Sequence, residues 1–376
     1  MIAPGPDLVA FRRDLHRHPE TGFDVTRTAA RIAAILSQAG LRVTEGVGGS
    51  GLVATLARGP DETAIALRAD MDALPIDEGT NLPYGSVHGG RFHGCGHDGH
   101  SAMLVGAALA LARDPDLART VHFLFQPDEE TGRGAEAMIA DGLFDRFPIS
   151  AIYGLHNMPG LPVGHFAIRE GPFCAFEDNF EIRVAGRGGH SAMPEAGIDP
   201  LVLASTIVLQ LQTIVARNLP PADHAVVSVT EFVTDGARNI LPSKVTLRGD
   251  CRGFRAEVSE VIARRMAEIV RGLGAAHGAE TALDHATSFQ PLVNEPAATA
   301  RAARAAGAVG TVDTAHGRVG FSEDFAAFLR HRPGAFILMG NGTEGANAMP
   351  LHNPGYDFND AALAPGIAYW VELARS

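Results

Sequence analysis

Residues 92–103 read "FHGCGHDGHSAM": one cysteine, three histidines and an aspartate, spaced by glycines and running into an apolar segment. Cys95 and His97 are two positions apart, so a short loop can aim a thiolate and an imidazole at one centre, and glycines allow the close approach a metal loop needs. The spacing reads as metal binding, without the second pair that would mark a zinc finger. Residues 126–135, "QPDEETGRGA", add three consecutive carboxylates, Asp128, Glu129 and Glu130, directly after an apolar run. Such a triplet can be a solvated acidic loop. Near a metal loop, adjacent carboxylates can instead divide the work of a metallohydrolase, one binding metal and the other taking a proton from water. His156 in "GLHN" and His352 in "PLHNP" offer two more imidazoles.

These residues need elements to carry them. Residues 26–39 are amphipathic and stop at Gly40, as a helix does, whereas "LRVTE", "LVATLAR" and "TAIALRAD" have the apolar patterning of strands. "SAMLVGAALALARD" is a helix apolar on most faces, and "TVHFLFQP" is a strand closed by Pro127. "AIYGLHN" and, much later, "GAFILMGN" have the same form. The strand runs are each followed at their carboxyl ends by acids or imidazoles. In doubly wound sheets, sites gather outside those ends, so these segments are expected to share one site.

Between residues 178 and 290 the pattern changes. Phe180, Ile182 and Val184 alternate on one face, and two helical segments are interleaved with further strands in the order βαββαβ. That order predicts a ferredoxin-like insert, placed as a lid or pairing with a second subunit. The expected fold class is therefore α/β: a doubly wound, mostly parallel catalytic domain (1–177 and 291–376) interrupted by an α+β lid or dimerisation domain (178–290).

Composition narrows the function. Lys and Arg number 31 against 43 Asp and Glu, a formal net charge of −12, and no basic block stands out, which excludes a polyanion such as nucleic acid as the expected partner. The N-terminus lacks a basic start and a continuous apolar core, and no stretch reads as a membrane span, so a cytoplasmic location without membrane partners is expected. Cys95, Cys174 and Cys251 are too few and scattered for a disulfide framework; Cys174 and Cys251 read as buried, inert thiols. Two G-x-G-x-x-G matches, at 46–51 and 340–345, run into a strand and a loop rather than opening a helix, so they are not dinucleotide sites.

Taken together, "FRRDLHRHPETGF", "LRADMDALPI", "HGCGHDGHSAMLVGAA", "FLFQPDEETGRGAEAMI", "YGLHNMPGLPVG", "GRGGHSAMP", "RNILPS", "SEDFAAFL" and "LHNPGYDFND" resemble the aminoacylase and carboxypeptidase family of dinuclear metallopeptidases. The likeness is to its branch of hippurate hydrolases, N-acyl amino acid amidohydrolases and auxin-conjugate hydrolases, and it covers nearly the whole chain. It implies two divalent ions (Mn, Zn, Co or Ni) held by Cys95, His97, Glu130, His156 and His352, with Glu129 as general base and acid. Formal charges then leave the site at about +2, which suits an anionic substrate.

The same resemblance implies that Asp72 orients a ligand, and Asp70 stands where relatives with an H-x-D motif have a ligand histidine. His190 looks like the lid histidine that reaches the developing oxyanion, often across a dimer interface. Asn239 and Arg252 match positions that bind the substrate carboxylate, and Glu323 can approach the site from the returning catalytic segment. Related sequences commonly have Thr where this chain has Gly253. Asp98 and His100 are expected to position the loop or cap its helix. His16 and His18 carry no implied metal role, and His88, His93 and His122 read as structural or solvated. The expected activity is hydrolysis of an N-acyl amino acid by a dimeric enzyme. The alternatives are deacetylation of an N-acetyldiamino acid, such as N-acetyldiaminopimelate or N-acetyldiaminobutyrate, and a metal-dependent binding module without turnover.

Overall fold

The computed structural model describes residues 7–59 and 64–376. Helices α1 (Leu8–Arg17) and α2 (Thr26–Gln38) precede strands β1 (Arg42–Val47), β2 (Gly51–Leu56) and β3 (Ile65–Asp70). Helix α3 (His97–Ala112), β4 (Val121–Gln126), the short helices α4 (Gly134–Ala140) and α5 (Leu143–Arg146), β5 (Ala151–Pro159), β6 (His165–Ala167) and β7 (Gly171–Cys174) follow. The inserted block contains β8 (Phe176–Ala185), β9 (Gly189–His190), α6 (Pro200–Asn218), β10 (Ala225–Thr234), β11 (Ile240–Leu241), β12 (Lys244–Gly253), α7 (Ala256–His277) and β13 (Glu280–Phe289). The chain returns through β14 (Leu292–Asn294), α8 (Pro296–Val309), β15 (Thr311–Asp313), α9 (Ala326–Leu329), β16 (Gly334–Gly342) and α10 (Leu363–Arg375).

The first unit is a mixed α/β structure around an eight-stranded sheet of order β1-β2-β4-β3-β5-β16-β6-β15. Its centre, β4-β3-β5-β16, is parallel, while β1 and β2 are antiparallel at one margin and β6 runs against β16 at the other. Every residue of β3, β4 and β16 is buried, which is why these strands read as continuous apolar runs rather than alternating ones. Helix α3 packs on β3 and is flanked by α1, α2 and α10. Nearly all its residues are buried, so it has no polar stripe to betray its orientation. A Cβ on Gly106 would come within 2.6 Å of Ile367 on α10, so glycine sets how closely these two helices approach.

The second unit comprises Cys174–Leu292 together with Arg318–Glu323. Its sheet is antiparallel, of order β10-β12-β8-β13, and its connectivity is β-α-β-β-α-β with α6 and α7 packed against the strands. Alternation along β8 sends Phe176, Phe180, Ile182 and Val184 into this unit's own core. The segment Arg318–Glu323, counted with the first domain from sequence, belongs here: Ala175 donates to the Phe321 carbonyl and Arg318 lies over the Phe254 ring. Helix α6 also corrects the membrane expectation, because it is long and apolar enough by composition to cross a bilayer. In the structure Leu203, Ala204, Ile207, Leu211 and Ile214 form one buried stripe on the sheet, the spacing of a core-packed helix.

One buried ionic cluster fixes α1 to the catalytic loops. Arg12, with a fully buried side chain, reaches Asp98 at 3.0 Å, Asp357 at 2.5 Å and Asp360 at 3.7 Å. His16 places Nδ1 2.9 Å from Asp98 and Nε2 3.4 Å from Glu78. Burial opposes charge on His16, but its bonds to Asp98 and Glu78 outweigh burial and raise its pKa above the ordinary 6.5.

Arg12→Ala should cost about 3–5 kcal/mol of stability, because it leaves buried carboxylates without their partner. Urea unfolding measures it, and a loss below about 1 kcal/mol would contradict this account. For His16 the sign follows from a raised folded pKa: its contribution is full below about pH 6.5 and is lost as pH rises through the folded value. The stability gap between wild type and His16→Gln should therefore be widest near about pH 6 and shrink toward alkaline pH.

Candidate metal centre

Because β4, β3, β5 and β16 are parallel neighbours, their carboxyl ends lie side by side. Asp72 follows β3, Glu129 and Glu130 follow β4, His156 lies within β5, and His352 follows β16. Cys95 and His97 come from the loop that starts α3. All five sequence-assigned ligands meet here: ligand atoms of Cys95, His97 and His156 lie within 4.8 Å of one another, as do those of Cys95, Glu130 and His352. Glu129 joins through a third group with His97 and Glu130.

Asp72 organises this arrangement in a way the sequence did not disclose. Its main-chain carbonyl accepts from His97 Nδ1 at 2.8 Å, and its carboxylate accepts the backbone N–H of Glu129 at 3.1 Å and of Glu130 at 3.2 Å. A carbonyl only accepts, so His97 donates to it from Nδ1 and turns Nε2 into the site. His156 is set the same way by the Asn157 carbonyl at 2.7 Å, leaving Nε2 to face Cys95 Sγ at 3.4 Å. Glu130 lies between the remaining imidazoles, 3.9 Å from His97 Nε2 and 3.5 Å from His352 Nε2.

The donor set fits a metal. His97 Nε2 and Glu130 Oε1 are buried with no hydrogen-bond partner, a cost that a cation between them would remove. Burial pushes the Glu130 carboxyl up to about 7 despite His97, and the acids Asp70, Asp72 and Glu130 overcome burial to raise His97 to about 10. The protein alone thus holds protons where a divalent ion would displace them. Burial and neighbouring His100 hold His156 well below the ordinary value, and burial lowers His352, so both imidazoles stay neutral and able to coordinate. One sulfur, three imidazole nitrogens and a carboxylate make a mixed donor set suited to transition metals.

Asp70 is fully buried beside this set, 3.7 Å from His97 Nε2, and is paired with Arg68 at 2.7 Å and His100 Nδ1 at 2.7 Å. Arg68 also bonds Gln126 at 2.8 Å and Asp324 at 3.0 Å, and Asp324 accepts from the Ala135 amide at 2.9 Å. The sequence reading missed Arg68, Gln126 and Asp324 entirely, since charged or polar side chains scattered over 256 positions show no local spacing. Two non-glycine residues at the site hold left-handed backbone, Asp128 with φ 50° and His352 with φ 66°. Gly96 has φ 91°, and a Cβ there would fall 2.4 Å from Asn157 Oδ1 and 2.6 Å from the Tyr356 hydroxyl, which explains the glycine before His97.

Other assignments find their places. Asp98 joins the Arg12 and His16 cluster, and His100 receives the Asn157 amide on Nε2 at 3.0 Å. His88 is exposed, His93 is buried, and His122 takes the Thr55 hydroxyl at 2.9 Å. Cys174 and Cys251 are buried, and burial with Asp178 and Asp250 pushes the Cys251 thiol up to about 12. Within the second unit, His190 pairs with Ile240 across the short β9/β11 ribbon, next to Asn239, and both His190 and Asn239 are exposed. Glu323 is buried, and Arg252 lies on the outward face of the insert's sheet.

Residues 66–376 match Peptidase family M20/M25/M40. The chain belongs to this family. Among M20 relatives, an N-acetylcysteine deacetylase of Bacillus subtilis is 36% identical over 98% of this chain and 96% of that protein. A hippurate hydrolase of Campylobacter jejuni is 36% identical over 97% of this chain and 94% of its own length. A crystal structure from Bacillus subtilis, described as a dinuclear metal binding peptidase from M20, superposes with a TM-score of 0.85 at 33% identity, covering 98% of this chain and 96% of that one. As an M20 member the chain is a hydrolase, which overturns the alternative of a binding module without turnover.

Asp72→Asn keeps the carbonyl that orients His97 but places an amide against two N–H donors. Metal affinity should fall roughly 10–100-fold, measured by chelator competition, with the fold retained by circular dichroism. Unchanged affinity would show that the Glu129 and Glu130 backbone is held by something else.

Proposed function

We propose that the chain is a metal-dependent amidohydrolase that splits N-acyl amino acids into a carboxylate and a free amino acid, with two divalent ions held by Cys95, His97, Glu130, His156 and His352. The observation that carries this reading is the grip of Asp72 on two successive amides. It fixes adjacent carboxylates so that Glu130 faces the imidazoles while Glu129, 6% exposed, serves proton transfer. When bound, the ions supply Lewis-acid polarisation of the amide carbonyl and make a water more acidic. Glu129 accepts the proton of the attacking water and delivers it to the leaving nitrogen, so no covalent bond to the protein forms. His190 donates to the developing oxyanion, with Asn239 beside it.

The substrate class rests on the relatives. By name, one removes acetyl from cysteine and another cleaves hippurate, an N-acyl glycine. An acyl group joined to an amino acid is what those two substrates share.

A homodimer through the insert is part of the same reading. β10 is an edge strand, and its Val226, Phe232 and Val233 are exposed together with Leu201, Val202 and Leu209 of α6, which packs beside β10. An edge strand with apolar side chains invites a second copy about a two-fold axis. Light scattering should give twice the 39.5 kDa chain mass, and Phe232→Glu with Val226→Lys should halve it; a wild-type monomer would remove this part of the reading.

For the chemistry, amino-group release from hippurate, N-acetyl, indoleacetyl and N-acetyldiamino compounds should be chelator-sensitive on at least one subset. Glu129→Gln should bind metal as wild type does and lose roughly 10²–10⁴-fold in kcat. A near-normal rate in that variant would remove Glu129 as the base.

A further inference from the structure

His18 and His88 take no part in the candidate metal centre, yet they stand together at the end of α1. Their ring centroids are 5.9 Å apart, with the ring planes at 61°. With metal–nitrogen bonds of about 2.0–2.1 Å, two imidazoles on one four-coordinate ion bring their ring centres to about 5–6 Å. His97 and His156, in the candidate centre, are also 5.9 Å apart. Histidines can reach this separation by packing alone, so the argument turns on how each of the pair is held.

His18 caps the C-terminus of α1, its backbone N–H bonding the Leu15 carbonyl. Its Nδ1 lies 3.0 Å from the Asp14 main-chain carbonyl, which can only accept, so Nε2 on the other edge of the ring is left to coordinate. Asp72 imposes the same arrangement on His97. His88 belongs to a segment fixed to the same helix end. The Val87 amide donates to the Arg17 carbonyl at 3.0 Å, and the Ser86 amide donates to the Glu78 carboxylate at 2.5 Å. Ser86 Oγ donates to the His88 carbonyl at 3.0 Å and accepts from the His88 amide at 3.1 Å. The backbones of both histidines are thus placed before any ion arrives, which lowers the ordering cost of binding.

Electrostatics favour a cation here. The carbonyl end of α1 carries a partial negative charge within one turn of His18. The Asp14 carboxylate, 3.6 Å from His18 Nδ1, is already paired with Arg27 at 2.8 Å and Arg31 at 3.3 Å, so water rather than this acid completes the shell. Imidazole nitrogen as the protein's donor suits Zn, Ni or Cu(II), whereas Mg and Ca require oxygen ligands. The His18 side chain is 29% exposed and His88 is exposed, so an ion can enter from solvent.

We propose that His18 and His88 share one transition-metal ion of the Zn, Ni or Cu(II) class, and that this ion clamps the end of α1 to the segment running on to Cys95. The site uses no residue of the hydrolytic centre, so it is independent of the substrate reading.

Equilibrium dialysis against Zn(II), with metal analysis of the protein, should give one further ion per chain beyond those held by the centre. In His18→Gln, His88→Gln and the double variant, affinity for that ion should fall by more than the roughly tenfold that loss of a ligand's supporting partner costs. Because both rings serve one ion, the double variant should lose no more than either single one. All three should keep the tighter ions and wild-type circular dichroism. Zn(II) added to the wild type with its centre filled should slow amide exchange at Val87 and His88, and should leave both unchanged in the double variant. A wild type holding no ion beyond the centre, a further ion that survives in the double variant, or losses that add as for two separate ions would each overturn the shared site. Exchange that Zn(II) leaves unchanged in the wild type would overturn the clamp.

Discussion

The candidate metal centre depends on one aspartate. Asp72 uses its carbonyl to orient His97 and its two carboxylate oxygens to hold the amides of Glu129 and Glu130. Three side chains from two different segments are thereby referred to a single residue just beyond β3. The carboxylate is fully buried, so water does not compete for these bonds, and the geometry it imposes is stiff. Everything else in the first unit can be understood as bringing the remaining donors within reach of that fixed point.

A parallel sheet does this economically. Strands β4, β3, β5 and β16 are adjacent and run the same way, so residues far apart in sequence emerge at one edge. The electrostatic cost is met by two buried clusters around the site. Arg68 with Asp70 and Asp324 supports the strand ends, and Arg12 with Asp98 and Asp357 supports α3 and the segment after His352. Buried pairs of this kind contribute little net stability relative to apolar packing, but removing one member is costly, which makes them effective at holding one arrangement. The orphaned His97 Nε2 and Glu130 Oε1 are the place where the protein leaves this accounting open for a cation.

Much of this was legible in the sequence because it is local or periodic. The apolar runs that became β3, β4, β5 and β16, the acids and imidazoles at their ends, and the alternating strands of the insert all carry short-range signals. Cys95, His97 and the run of carboxylates stood out by their spacing, while the full candidate ligand set and the role of Glu129 came from the family resemblance. What escaped is long-range or featureless. Helices α8 and α10 have no chemistry to draw attention, although Glu295 caps α8. The antiparallel margins of the sheet and the membership of Arg318–Glu323 in the second unit depend on pairings between segments with no mutual signature. For Asp72, the sequence suggested an orienting role but not that the backbone of Glu129 and Glu130 is what it orients.

The two units place different demands on their residues. In the first, Asp70, Asp72, His97 and His100 at the centre are buried and bonded to one another or to buried neighbours, so a change at one propagates to several others. On the outward face of the insert's sheet, side chains such as Glu177, Asp250 and Arg252 are partly exposed and stand over a core made by the opposite face. Strand alternation separates the two faces completely, so charges on the outer one can be exchanged without disturbing Phe180, Ile182 or Val184 beneath.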